Sequence, residues 1–347
     1  MAHALSDQRR PMSPLATLAG RGAAALVGAA LEGRRKLYEL GVRRPERVQA
    51  RTISIGNLTV GGAGKTTLVL HLAVLARERG ERVAVVARRY RPGPSGRGDE
   101  ELLYRALLGE SSVFAGRSKR ELARAAAASG ASLVLVDDAF SHWGLERDLD
   151  IVLLDRTDLW GGGRLVPAGR LREPVRAIQR AGLVVVTRLE AGEDPEPLLA
   201  EVRRRAPAAL VAAARHSVAG VRDLAGATSP ARGAARVVTA TGNPGAVAAS
   251  AAEAGFAPVT LAAYRDHHWF TLAEARREVA AAGGATVLLS TKDAVRWPEG
   301  APRDRVAVLE TRWAWVRHGE AAEHMVWDRD ESKAPGPADP SRAGAHA

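Results

Sequence analysis

Residues 57–66, Asn-Leu-Thr-Val-Gly-Gly-Ala-Gly-Lys-Thr, place three glycines and a Lys-Thr pair between two apolar runs. The run before them, Arg51-Thr-Ile-Ser-Ile55, has strand composition, and the run after, Leu68–Leu75, reads as a buried helix. Glycines let the backbone wrap close to an anion, so that consecutive N–H groups and the helix N-terminus point at phosphate oxygens. Thr59, Val60, Gly61, Gly62, Ala63 and Gly64 then form the cradle, completed by Lys65, Thr66 and Thr67. Lys65 reaches the β- and γ-phosphates, and the Thr66 hydroxyl takes a place on Mg²⁺. The spacing departs from G-x-x-x-x-G-K-[ST] at one position, where Thr59 stands for the first glycine. The bland alternative is a plain tight connection. Strand, turn, Gly-Lys-Thr and helix in order favour a nucleoside triphosphate.

At 347 residues the chain has room for two α/β domains, which run to about 100–200 residues each. Absence of cysteine excludes disulfides, thiolate metal sites and cysteine nucleophiles. The net charge of +11 predicts attraction to polyanions or an anionic membrane. Residues 1–51 hold ten Lys/Arg against four acids, so over half of that excess precedes the phosphate loop. Between its basic clusters (Arg9-Arg10 on one side, Arg34-Arg35-Lys36 on the other) lies the Ala/Gly/Leu run Leu15–Leu31, interrupted by Arg21. That run is shorter than the roughly 20 apolar residues needed to cross a bilayer. An export signal has a similar form, but basic residues follow the run at once. A helix lying on an anionic membrane surface fits better than an ordinary basic helix packed on the domain.

Strand candidates Arg82–Ala87, Ser132–Val136, Asp150–Leu154 and Leu183–Thr187 alternate with helices near 68–79, 100–108 and 119–128. Such alternation predicts a parallel sheet covered on both faces. A second alternation follows: strand 236–240, helix 244–254, strand 258–262, helix 271–282 and strands 286–290 and 306–309. The expected organisation is a basic segment with the membrane-associating helix at 1–50, a phosphate-loop core at 51–230 and a smaller α/β domain at 231–327. The connection falls within 210–234, and a disordered tail follows at 328–347.

Three further groups carry chemistry. Leu133-Val-Leu-Val-Asp137-Asp138 is an apolar strand ending in two carboxylates, where phosphate-loop enzymes hold Mg²⁺; a strand-terminating turn is the alternative. Arg88-Arg89-Tyr90-Arg91, a Pro/Gly-rich stretch and Asp99-Glu100 follow the second strand. They read equally as a lid over phosphates, with Asp99 near the reacting hydroxyl, or as a solvated loop capped by Asp99. Asp266-His267-His268 is a poor metal site on its own, but such a group facing the phosphate loop could assist proton transfer.

Together these segments resemble the tetraacyldisaccharide 4′-kinases, which phosphorylate a lipid A precursor. The resemblance runs from about Leu37 to Val306 and rests on Ile53–Thr66, Gly98-Asp-Glu100, Val136-Asp-Asp-Ala-Phe140 and Arg147–Asp155. Leu165–Pro174, Thr241-Gly-Asn-Pro244, Asp266-His-His268 and Ser290–Ala294 extend it. The segments Pro167-Ala-Gly-Arg-Leu-Arg-Glu-Pro174 and Asp266-His-His268 are its most specific parts. It implies transfer of the γ-phosphate of ATP, with Mg²⁺, to the 4′-hydroxyl of a tetraacylated glucosamine disaccharide 1-phosphate at the cytoplasmic face of the inner membrane. Carried over by position, Lys65 and Thr66 hold phosphate and metal, Asp137 and Asp138 are metal-linked, and Asp99 is the base with His267 as its partner. Arg172 and Glu173 lie beside the substrate and phosphates, and Arg88, Tyr90 and Asp266 complete the substrate side. The sequence departs from the family at Arg89, Arg91, Ala139, Ser141 and Arg170. A partition- or metallochaperone-type ATPase and a non-catalytic lipid-binding relative are the competing readings. A monomer is expected, and no nucleic-acid recognition motif is visible.

Overall fold

The computed structural model describes residues 14–229 and 233–328; Arg9, Arg10 and the tail expected beyond Asp328 lie outside the described residues. Helix α1 (Pro14–Glu39) precedes β1 (Arg51–Asn57), α2 (Lys65–Glu78), β2 (Val83–Arg88), α3 (Asp99–Leu108), β3 (Val113–Gly116), α4 (Lys119–Ala128), β4 (Leu133–Asp137), β5 (Leu149–Asp155), β6 (Leu183–Thr187) and α5 (Glu196–Arg205). Strand β7 (Leu210–Asp223) is followed by β8 (Ala235–Thr239), α6 (Pro244–Glu253), β9 (Val259–Ala263), α7 (Leu272–Ala281), β10 (Thr286–Ser290), α8 (Thr291–Ala294), β11 (Val306–Arg317) and α9 (Gly319–Trp327). The strands form one sheet in the order β3-β2-β4-β1-β5-β6-β7-β11-β10-β8-β9. Its central strands β1, β4 and β6 are buried along nearly their whole length, as apolar strands covered on both faces must be.

Among the described residues every ladder is parallel except one, the antiparallel pair β7·β11. Residues 210–223, expected as a connection, are therefore a strand, and β11 runs eight residues beyond the expected 306–309. The Ala212–Ala214 stretch of β7 has little strand propensity of its own; the strand's backbone groups are satisfied by pairing from Ala213↔Arg317 to Asp223↔Ala307. This ribbon sets how the two parallel portions meet. β6 pairs with the start of β7, at Leu210–Ala213, whereas β10 pairs with the start of β11, at Val306–Leu309, opposite the end of β7. The portions are thus offset along the ribbon and point their strands' carboxyl ends at each other across its middle. Ligands of open parallel sheets gather at those ends.

Helix α1 packs one stripe inward (Ala24, Val27, Gly28, Leu31, Arg34, Arg35, Tyr38), at helical spacing. Its exposed positions are mostly Ala, Gly and Leu, with Arg21, Lys36 and Glu39 among them: Leu26 is 74% and Leu40, just past its end, 75% exposed, with Leu37 and, beyond the helix, Val42 also open. Among the described residues no helix is long and apolar enough to cross a membrane.

Candidate active site

The phosphate loop joins β1 to α2 as expected, and two of its glycines need their freedom. Gly61 and Gly64 have φ of 115° and 91°, outside the range comfortable for other residues. A Cβ on Gly64 would also stand 2.7 Å from His216. At the helix start, the Lys65 ammonium donates to Asn57 Oδ1 at 3.0 Å and lies 3.5 Å from Asp138 Oδ1. Asp138 sits in the left-handed region, with φ of 52°, and accepts a bidentate pair from Arg172 at 2.8 and 2.6 Å. Arg172 also donates to the Asn57 side chain. Burial alone would raise the Asp138 pKa; Arg172 and Lys65 overcome it and hold the carboxyl well below the usual carboxylate range.

Asp137, one residue earlier, is buried and accepts from the Tyr104 hydroxyl at 2.8 Å. Its other oxygen is buried with no partner among the described residues. Burial, and then the charge of Glu100, push its pKa up. The Thr66 hydroxyl, 3.2 Å from Glu100 Oε1, completes this oxygen-rich corner. Thr66, Asp137 and Glu100 suit a hard divalent cation such as Mg²⁺, which takes oxygen ligands. The unpaired Asp137 oxygen is the observation that makes them fit. Glu100 was not singled out by the sequence; its neighbour Asp99 drew that attention.

From the other side of the ribbon comes His267, at the carboxyl end of β9 and with φ of 63°. Its Nδ1 lies 2.9 Å from Asp99 Oδ2, while Asp99 Oδ1 accepts the Glu100 N–H at 2.9 Å. His267 lines the cleft, and Asp99 is buried behind it, 3% exposed. Burial pushes Asp99 up, but the His267 hydrogen bond and the charges of Lys292 and Arg296 outweigh it and hold its pKa at about 2. Lys292 donates to Glu100 at 2.8 Å. Arg296, its side chain wholly buried, lies 3.4 Å from Asp99 Oδ2 and donates to Asp293 at 2.6 Å and the Ala240 carbonyl at 3.0 Å. The Ser290–Ala294 segment carried the resemblance without any role; its Lys292, with Arg296 just beyond, fastens one portion of the sheet to the other, and its Asp293 holds Arg296 in place.

The intervening cleft holds about 870 Å³ and is lined by Lys65, Thr66, Asp137, Asp138, Arg172 and His267, among others. Arg88, Tyr90 and Asp266 reach it as well; Tyr90 meets the His267 ring edge-on at 5.5 Å. The loop after β2 is docked rather than free. Arg91 donates to the Asp266 carbonyl at 3.2 Å, and Trp269 donates to the Arg91 carbonyl at 3.3 Å. Glu173 does not line the cleft: it is buried and accepts from Arg34 of α1 at 2.7 Å. It joins helix α1 to the arm that carries Arg172.

His216, beneath Gly64, is driven by burial, and then by the charge of Arg188, down to about 4. An unfolded chain binds a proton here below about pH 6.5, and the folded one does so only near pH 4. The stability from this group is therefore complete above pH 6.5 and is lost as pH falls from 6.5 to 4. Urea midpoints at pH 7 and pH 5 should converge in His216→Asn relative to the parent. An equal loss in both proteins would refute this.

A phosphate-loop βα unit, a carboxylate pair at the next strand end and a histidine–carboxylate pair across the cleft define a phosphate-loop phosphotransferase. The family model for tetraacyldisaccharide-1-P 4′-kinase, LpxK, matches residues 17–329. The chain belongs to that family. It is 36% identical to the tetraacyldisaccharide 4′-kinase of Anaeromyxobacter dehalogenans strain 2CP-C, over 91% of this chain and 92% of that protein. It is likewise 36% identical to the one from Anaeromyxobacter sp. strain K, over 97% of both. The structure is similar to that of LpxK from Aquifex aeolicus in complex with ATP, with a TM-score of 0.66, 24% identity and coverage of 88% of this chain and 96% of that one.

Proposed function

We infer that this kinase transfers the γ-phosphate of ATP to the 4′-hydroxyl of a tetraacylated glucosamine disaccharide 1-phosphate, forming the bisphosphorylated lipid IVA. Beyond family membership, the observation that carries the reading is the Asp99–His267 pair held opposite Lys65, Asp138 and Arg172 across one cleft. A sugar hydroxyl is a poor nucleophile until its proton has somewhere to go, and a positioned acceptor contributes typically 10²–10⁴-fold. Asp99 alone, held at about 2, is a weak acceptor. His267 has its Nδ1 on Asp99, its Nε2 3.8 Å from Asp266 Oδ2 and a place in the lining of the cleft, so the pair takes the proton through the imidazole. The oxygen attacks the γ-phosphorus as the bond to the β-phosphate oxygen breaks, and ADP leaves. Lys65 and Arg172 neutralise charge on the phosphates. Thr66, Asp137 and Glu100 would hold Mg²⁺, which screens the phosphate charge when bound. Arg88, Tyr90 and Asp266 border the acceptor side, and Glu173 acts through Arg34 and α1.

The mostly apolar exposed positions of α1, with basic residues among them, support a protein resting as a monomer on the cytoplasmic surface of the inner membrane, where an acylated acceptor resides. Vesicles with anionic lipid should pellet the protein, and Leu26→Asp with Leu40→Asp should release most of it. Equal pelleting of parent and variant would exclude this face. The activity itself is tested with labelled ATP and the acceptor in detergent. Transfer that stops with EDTA and returns with Mg²⁺ supports the reading. ATP hydrolysis indifferent to lipid would instead indicate an ATPase.

A further inference from the structure

Five consecutive carbonyls of the phosphate loop lie against side-chain donors. Asn57 Nδ2 donates to the Thr59 and Gly61 carbonyls at 2.7 and 3.2 Å. Arg170 donates to Val60 at 3.1 Å, Arg188 donates to Gly62, and the Thr187 hydroxyl lies 3.0 Å from the Ala63 carbonyl. In a planar trans peptide the N–H that follows a carbonyl points the opposite way. With the carbonyls of 60–63 drawn outward, the N–H groups of 61–64 are turned toward the cleft, as an anion-binding nest requires.

Two of these donors are long arginines anchored at their other nitrogens. Arg188 donates to Asp155 at the end of β5 at 2.6 Å, and Arg170 donates to Asp158 at 3.3 Å. Arg188 does so from a left-handed backbone, φ 64°, a conformation that an arginine adopts at a cost. Arg170 packs so closely on Gly61 that a Cβ there would stand 3.0 Å from its guanidinium.

We propose that Arg170 and Arg188 are positioning residues that hold the phosphate loop in its binding shape before nucleotide arrives. A glycine-rich loop left free would lose its conformational entropy only on binding, at the expense of affinity. Both arginines act through the loop carbonyls rather than on phosphate. The inference rests on the nucleotide reading above.

Titration calorimetry with ATP and with ADP separates the two ideas. Failure of the parent protein to bind either nucleotide would sink the nucleotide reading itself. If the parent binds, Arg188→Met should weaken ATP and ADP alike, at least tenfold, with KM for ATP rising in step and kcat falling no more than threefold. Arg188→Lys, which keeps one donor, should recover part of the loss. Unchanged affinity, or a loss confined to ATP, would overturn the proposal, the latter because it marks a direct γ-phosphate contact. Arg170, a third exposed, provides a second variant should Arg188→Met not fold. Arg170→Met should weaken both nucleotides at least threefold, and parent-like binding would refute the clamp.

Discussion

Asp99→Ala should retain ATP binding within a few-fold and lose at least a hundredfold in phosphate transfer, in line with removing a positioned proton acceptor. The loss has two parts. Without Asp99, the His267 Nδ1 at 2.9 Å has no carboxylate to fix the ring or to stabilise it once it has accepted a proton. Arg296 and Lys292 would also face His267 without the intervening negative charge, which disfavours the protonated imidazole. His267→Ala should fall comparably, and the double variant little further, because residues that act as a unit are not additive. The measurement is transfer of labelled γ-phosphate at saturating ATP and acceptor. Retention of more than a tenth of parental kcat in Asp99→Ala would remove the pair from the chemistry.

The second large effect concerns stability. Arg296 and Asp293 are both fully buried and paired at 2.6 Å. Deleting one member of such a pair leaves an uncompensated charge and costs about 3–5 kcal/mol. Asp293 keeps donors in Thr239, Ser290 and the Ala240 N–H, so Arg296→Met should fall near the lower end of that range. Arg296→Met with Asp293→Asn should recover part of the loss, since neither charge then remains. Urea unfolding of the three proteins checks this, and a double variant less stable than Arg296→Met would contradict it. Transfer should fall as well, because Arg296 is one of the groups that hold Asp99 behind His267.

Much of this was legible in the residues. The phosphate loop could be read because its chemistry is local: glycines, lysine and threonine act within one strand–turn–helix unit. Strands such as Leu133–Asp137 and Leu183–Thr187 could be read because burial on both faces demands unbroken apolar runs. Asp99, Asp137, Asp138, Arg172 and His267 could be named, largely through their resemblance to a known family. The roles of Asn57, Arg188 and Arg296 have no such signal. A polar residue at a strand end and two arginines beside apolar stretches have bland readings, and only their partners distinguish them.

The sequence by itself determined the βα units, the cradle and the chemical types available for a phosphotransfer. What only the tertiary structure decided is that these units face each other. The reason lies in β7 and β11: the Ala212–Ala214 stretch of β7 carries little strand signal, and, although β11 is rich in Val and Trp, the pairing of the two is a long-range contact between residues about a hundred positions apart. That antiparallel ribbon offsets the two parallel portions so that their carboxyl ends converge, bringing His267 to Asp99 and Lys292 to Glu100 across the cleft. Local pattern fixes elements because neighbours along the chain share a face; it is silent on which distant charges come within 3 Å of one another. Glu173, expected beside the substrate, is instead buried against Arg34 of α1, a long-range contact that local pattern does not show.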